Sequence, residues 1–389
     1  MTAAAAEIAA CWDLDPAVLY LNHGSFGACP RAVLQAQSAL RGEMERGPVN
    51  FLDTTLPARL AAAREVLAGF VGAEPADLAF VTNATAGVNA VLRSLRLGPG
   101  DELLVTNHMY AACRKAADFV AARHGARVIE ARLPFPVHDE QEIVASVLAC
   151  VSARTRIALI DHVTSPTALV LPVAQLVSEL RARNVETLVD GAHAPGMVRL
   201  RVAELGAAYY TGNAHKWMCA PKGAAFLHAR RDRQQDLHPT VISHGYGSGF
   251  QAEFDWTGTC DPTAWLCIPE SVRFIGSLLP GGWPEVMARN RSLALQARAL
   301  LLQALRVSAP CPEQMLGSMA SIPLPVPTSG SPAARLDCKG LHAWFRDRGV
   351  ETWLYAQPRL LLRISAQLYN SIDQFEVLAR LLVEAVHGR

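Results

Sequence analysis

The sequence is poor in lysine. Of its 36 cationic residues only Lys115, Lys216, Lys222 and Lys339 are lysines, so a reaction that needs a primary amine has few places to sit. It also lacks an excess of charge: 36 Lys+Arg stand against 35 Asp+Glu in 389 residues, which removes the electrostatic reason to expect a nucleic-acid partner. No eighteen apolar residues run together without a charge or turn former, which speaks against a membrane span. The opening MTAAAAEIAACWDLDP has Glu7 and Asp13 and no basic stretch, so it does not read as a signal peptide. Nine cysteines, an odd number at scattered spacings, fit a reduced cytoplasmic protein better than a disulfide framework. CxxC and HExxH spacings are missing, so no metal site is expected. Without a P-loop, a GxSxG elbow or a GxGxxG after the first strand, there is no signature of nucleotide hydrolysis, serine-hydrolase chemistry or dinucleotide binding.

What is present belongs to a folded, apolar chain, 51% hydrophobic and 18% charged, long enough for two or three domains at ~100–200 residues each. From about residue 30 to 230, short apolar runs alternate with amphipathic helical stretches. The runs are LAFVT (78–82), ELLVT (102–106), ARVIEA (126–131), RIALID (156–161), VETLVD (185–190), AAYYT (207–211) and AAFLH (224–228). Helical spacing covers 86–97, 139–152 and 172–183. This pattern predicts βαβ units and a mainly parallel sheet, with ligands beyond the carboxyl ends of its strands. After about 258 it changes to a long helical stretch (264–305), a Pro/Gly/Ser-rich passage (310–332) and two shorter αβ segments. These read as a second, smaller domain.

Five strand ends carry polar clusters: Thr82–Thr85, Asn107–Tyr110, Asp161–Ser165, Asp190–His193 and Thr211–Lys216. Each alone is compatible with ordinary turn and cap chemistry, but five on one rim form a site. Lys216 follows a strand beside His215 and Trp217. Burial there favours its neutral amine, competent to form a Schiff base with an aldehyde cofactor; a surface lysine packed on Trp217 is the alternative. Asp190, followed by Gly191, can hold a protonated pyridine nitrogen, or simply cap the next helix. The segment Asn83-Ala84-Thr85-Ala86-Gly87 joins a strand to a helix whose N-terminus suits a phosphate.

Together these pieces resemble the class V aminotransferase superfamily of pyridoxal-phosphate (PLP) enzymes, and within it the isopenicillin N epimerase-like group. The matching segments are LNHGSFG (21–27), NATAGVNAVL (83–92), DHVTSPTALVLPV (161–173), VDGAHAPG (189–196), NAHKWMCAPKGAAFL (213–227), WTGTCDP (256–262) and RISAQLYNS (363–371). The resemblance implies the PLP-dependent transferase fold, fold type I. That would comprise an N-terminal arm (1–20), a large domain (21–258) with a mostly parallel seven-stranded sheet, and a small C-terminal α/β domain (259–389).

It also implies roles. Lys216 would hold PLP as a Schiff base, Asp190 would pair with the pyridine nitrogen, and His193 would reach the phenolic oxygen. The backbone at Ala84 and Thr85, with Asn213 and His215, would hold the phosphate. Thr259 of the partner subunit would complete that cradle in a homodimer. Tyr110, or failing that His108, would stack on the ring. Arg363, at the end of RLLLR, would grip the α-carboxylate of an amino-acid substrate through its planar fork, with Asn22, His23 and Ser165 lining the pocket. The implied activity starts from a carbanion at Cα and ends in epimerisation, with C–S elimination or transamination as alternatives and a non-catalytic PLP-fold protein as a remoter one. Two departures stand out. Cysteine desulfurases of the superfamily carry a persulfide-forming cysteine shortly before the carboxylate-binding arginine, whereas 339–362 has none here, and Cys260 stands where relatives often have arginine.

Overall fold

The computed structural model describes residues 3–388. Its strands, in chain order, are β1 (Leu19–Tyr20), β2 (Leu78–Val81), β3 (Glu102–Thr106), β4 (Arg127–Ala131), β5 (Thr155–Asp161), β6 (Glu186–Gly191), β7 (Tyr209–Asn213), β8 (Ala225–Ala229), β9 (Met319–Pro323), β10 (Val350–Glu351), β11 (Trp353–Tyr355) and β12 (Leu361–Ser365). All seven apolar runs enter one sheet in the order β2-β8-β7-β6-β5-β3-β4. Only β8 runs against its neighbours.

The runs are nearly continuous in apolar residues because both faces of the sheet are covered. Alternate residues serve opposite cores. Leu104, Ala158 and Ile160 pack with Leu60, Leu67, Ile143 and Leu176. Leu103, Val105, Ile157 and Leu159 pack with Val88, Val91, Cys113 and Val120 from the helices Ala84–Ser94 and Ala111–His124. The parallel crossovers bring the carboxyl ends of β2, β3, β5, β6 and β7 to one edge. Register then sets Asp161, Asp190 and Thr211 side by side across β5, β6 and β7.

The second sheet, β11-β12-β9, is antiparallel and packs through β9 on the helix Gly282–Leu305, which packs in turn on Ile372–His387. β1 pairs in parallel with β10, and Trp12 meets the edge of Tyr369 at 5.2 Å, so the segment from Trp12 to Tyr20 is tied to the C-terminal third. One expectation needs correction. The stretch 264–305 is not one helix: it divides into Thr263–Leu266, Ile268–Ser277 and Gly282–Leu305. Pro269 starts the second piece and Pro280, which lacks an N–H, ends it, with Gly282 at φ +63°. The Pro/Gly/Ser-rich passage, to which the sequence assigns no element, contains β9, every residue of which is buried.

Candidate active site

A cavity of about 1050 Å³ opens beyond the carboxyl edge of the large sheet. Residues from all five polar clusters line it, and the β11–β12 hairpin contributes Trp353, Tyr355, Gln357 and Arg363.

Lys216 sits three residues beyond β7 on a tightly held turn. The His215 and Ala214 N–H groups both donate to Ala224 O, at 3.0 Å each, and Cys219 N–H donates to Lys216 O. Its Nζ lies 3.2 Å from His193 Nε2. Burial, then the Arg363 charge, bring Lys216 down to about 7, although Asp190 pulls the other way. Asp190, at the end of β6, accepts from Ala192 N–H at 2.9 Å and from the Cys113 thiol at 3.2 Å. Gly191 follows because a Cβ there would stand 2.2 Å from Tyr210 Oη. His193 is 3% exposed, and its Nδ1 has no partner. Burial and the Lys216 charge hold it well below the usual imidazole range, so both rings flanking Lys216 are neutral, His215 being lowered to about 4 mainly by burial.

The helix Ala84–Ser94 points its N-terminus at the cavity. Asn83 caps it, accepting from Ala86 N–H. Gly87 lets it close on β7, because a Cβ would meet Thr211 Oγ1 at 2.3 Å. Thr85, Asn213 and His215 line the cavity here, whereas Ala84 does not: its N–H donates to Asn213 Oδ1 at 2.8 Å. Tyr110 lines the cavity and is 47% exposed. His108 is fully buried, hydrogen-bonded to Thr167 and packed on Phe135, and stands outside the lining. Thr259 is exposed and also outside it.

Arg363, in the middle strand of the small sheet, is 1% exposed. One arm donates to Ser165 O (2.8 Å), Ser165 Oγ and Tyr355 Oη (3.0 Å each), the other to Ser25 Oγ (2.9 Å) and Asn22 Oδ1 (3.4 Å). None of these partners is a carboxylate. His23 lies on the far side of Lys216 from the cavity: its Nε2 is 3.0 Å from Lys216 O, its Nδ1 2.8 Å from Tyr369 Oη, and its ring packs on Trp217. It supports the lysine and does not line the pocket. Ser25, Tyr355 and Cys113 were not singled out from the sequence. For Tyr355 a signal existed, since alternation in the β11–β12 hairpin places Trp353 and Tyr355 on the face of Arg363.

A neutralisable buried amine, a buried carboxylate and a helix N-terminus converging on one cavity suit an aldehyde, a pyridine nitrogen and a phosphate. The unpartnered Nδ1 of His193 adds a free polar group beside them. These residues fit pyridoxal phosphate, and the fold is that of the fold type I PLP-dependent enzymes. The chain belongs to the class V aminotransferase family, whose sequence model matches residues 28–341, and is a PLP-dependent enzyme. It is similar to isopenicillin N epimerase of Streptomyces clavuligerus, 38% identical over 94% of each chain. It is also similar to putative L-cysteine desulfhydrase 1 of Oryza sativa subsp. japonica, 35% identical over 80% of this chain and 68% of that one. Among solved structures it matches the cystine C-S lyase C-DES with TM-score 0.78 and 20% identity, covering 94% of this chain and 97% of the other. An apo cysteine desulfurase from Thermococcus onnurineus NA1 matches with TM-score 0.80 and 17% identity over 98% of each.

Proposed function

We propose that the chain is an amino-acid epimerase of the isopenicillin N epimerase type, acting at the Cα of a substrate with a free α-amine and α-carboxylate. The observation that carries this reading is Arg363: a buried cation with only neutral partners, facing the same cavity as Lys216. Such a guanidinium is short of an anion, and a carboxylate bound bidentately supplies one.

Pyridoxal phosphate supplies an aldehyde for the substrate amine and an electron sink for charge at Cα. Asp190 would keep the ring nitrogen protonated, and His193 would meet the phenolic oxygen. Thr85, Asn213 and His215 would hold the phosphate, with the Ala84 N–H bracing Asn213. Tyr110, rather than the buried His108, would stack on the ring. Lys216 Nζ, released by the substrate amine, would take the Cα proton, its fixed position replacing a bimolecular encounter. Asn22 and Ser165 would act through Arg363. The reading carries with it a homodimer, in which Thr259 of the partner subunit completes the phosphate cradle, and a cytoplasmic setting suited to nine free cysteines.

C–S elimination is the second reading, supported by the desulfhydrase relatives. A persulfide relay is less compatible, because no cysteine is among the described residues lining the cavity. Proton NMR of the PLP-loaded enzyme in D₂O separates the readings over a panel of cysteine, cystine and longer amino acids. Loss of the Cα proton signal with inverted configuration supports epimerisation. Pyruvate formed from a sulfur-bearing substrate replaces it with elimination.

A further inference from the structure

The mechanism above leaves one buried acid of the cavity without a task. Asp161 ends β5 directly beside Asp190, its registered partner on β6. Adjacent strands lie about 4.8 Å apart, and registered residues of a parallel pair share a face. Both carboxyls are 3% exposed and both line the cavity. Their hydrogen bonding differs. Asp190 takes the Ala192 N–H and the Cys113 thiol, two donors that favour an ionised carboxylate. The backbone N–H groups of Tyr110 and of Asp161 itself favour the ionised form of the second carboxyl, yet its Oδ2 is buried with no hydrogen-bond partner.

We propose that Asp161 is held as the neutral acid beside Asp190, so that the pair carries one negative charge toward the cofactor's ring nitrogen, with Asp161 as a positioning residue for that charge. Two like charges on neighbouring buried groups cannot both be sustained, and the proton goes to the carboxyl with an oxygen left unpartnered, Oδ2 of Asp161. Burial, then the Asp190 charge, push the Asp161 carboxyl well above the usual range. Asp190 is raised by burial too, but Ala192, Cys113 and Lys216 pull it back. The other groups facing the pair, Tyr110 and His193, add no positive charge in their neutral forms. One charge serves the site better than two. An ionised Asp161 would add its attraction to that of Asp190 and favour the ammonium form of Lys216, and that form cannot bond the aldehyde.

This inference rests on the cofactor's ring nitrogen lying against Asp190, and the test keeps the two apart. Infrared spectra of the holoenzyme and apoenzyme are recorded between pH 6 and 9 for the natural protein and for Asp161→Asn. The expected result is a protonated-carboxylic-acid carbonyl band, resolved from the amide bands, that persists across this range and is lost in D161N. Its absence from the natural protein, or its persistence in D161N, overturns the proposal. The pH at which the bound cofactor's absorption changes gives a second readout. Replacing a neutral acid by a neutral amide leaves it within about 0.3 unit, whereas deleting an ionised carboxylate at this distance lowers it by about one unit or more, an equally contrary result. Asp190→Asn probes the underlying reading: cofactor absorption indifferent to that change removes Asp190 from the ring nitrogen without touching the assignment of the infrared band.

Discussion

Replacing Arg363 by lysine keeps the charge but loses the fork. In the structure the two arms reach opposite sides, one to Ser165 and Tyr355, the other to Ser25 and Asn22. An ammonium group is a single point and cannot serve both sides while gripping two carboxylate oxygens. One charge-assisted bond to the substrate is then lost, at about 1.5–3 kcal/mol. With tenfold per 1.4 kcal/mol, kcat/KM falls by about 10- to 150-fold. Arg363→Met removes both bonds, and the loss reaches about 10²- to 10⁴-fold. PLP absorbance reports cofactor occupancy and stays at the natural level, because Arg363 belongs to the substrate side. The assay is kcat/KM for Cα inversion, followed by chiral chromatography on enzyme of measured occupancy. An R363K enzyme that is fully loaded and keeps its kcat/KM within about twofold, less than one such bond is worth, refutes the carboxylate-binding role.

Other predictions concern the cofactor side. Lys216→Ala abolishes borohydride-fixed cofactor, read as the loss of covalent PLP by intact-mass measurement; label retained on the variant would move the Schiff base to Lys115, Lys222 or Lys339. In cofactor-free enzyme the amine of Lys216 exists above its pKa, so PLP capture rises with pH through about 7 and levels off; a midpoint near 10.5, the ordinary lysine value, would contradict the buried setting. Because that folded value lies below the unfolded one, the unfolded chain binds the extra proton between about 7 and 10.5. This group therefore adds to apoenzyme stability as pH rises across that window, and urea titrations of the natural protein and Lys216→Met compare it directly. Gly27→Ala places a Cβ 2.1 Å from His215 O at φ +71°. With ψ at 163° this is a backbone conformation essentially reserved for glycine, costing a residue with a side chain about 1–3 kcal/mol, so a lower Tm and weaker PLP retention are expected, and an unchanged Tm would show that the turn yields.

The large sheet was legible because burial on both faces turns each strand into an uninterrupted apolar run, as in LAFV and IALID. Lys216 stood out because lysine is scarce, and Arg363 because a charge closes the apolar run RLLLR. What stayed hidden depends on distant parts of the chain meeting. The adjacency of Asp161 and Asp190 is a matter of strand register. The engagement of the Ala84 N–H by Asn213 joins residues 129 positions apart. The strand β9 was masked by the prolines and glycines around it, since local composition does not show that MASIP is buried against β12. The resemblance put His23 in the pocket beside Asn22, but consecutive side chains diverge, and its ring meets the Lys216 carbonyl.

That divergence gives the segment Asn22–Gly27 a particular geometry. His23 holds the carbonyl of Lys216, and Gly27 fits against the peptide before it. Interleaved with them, Asn22 and Ser25 hold the guanidinium of Arg363. Lys216 and Arg363 are 147 positions apart in the chain, yet one run of six residues carries contacts to both. On the proposed reading the segment works as a caliper, setting the span between a substrate's two charged ends. An insertion or a cleavage within it would leave each jaw intact but uncoupled: an enzyme still able to take up PLP and still folded, yet no longer measuring its substrate.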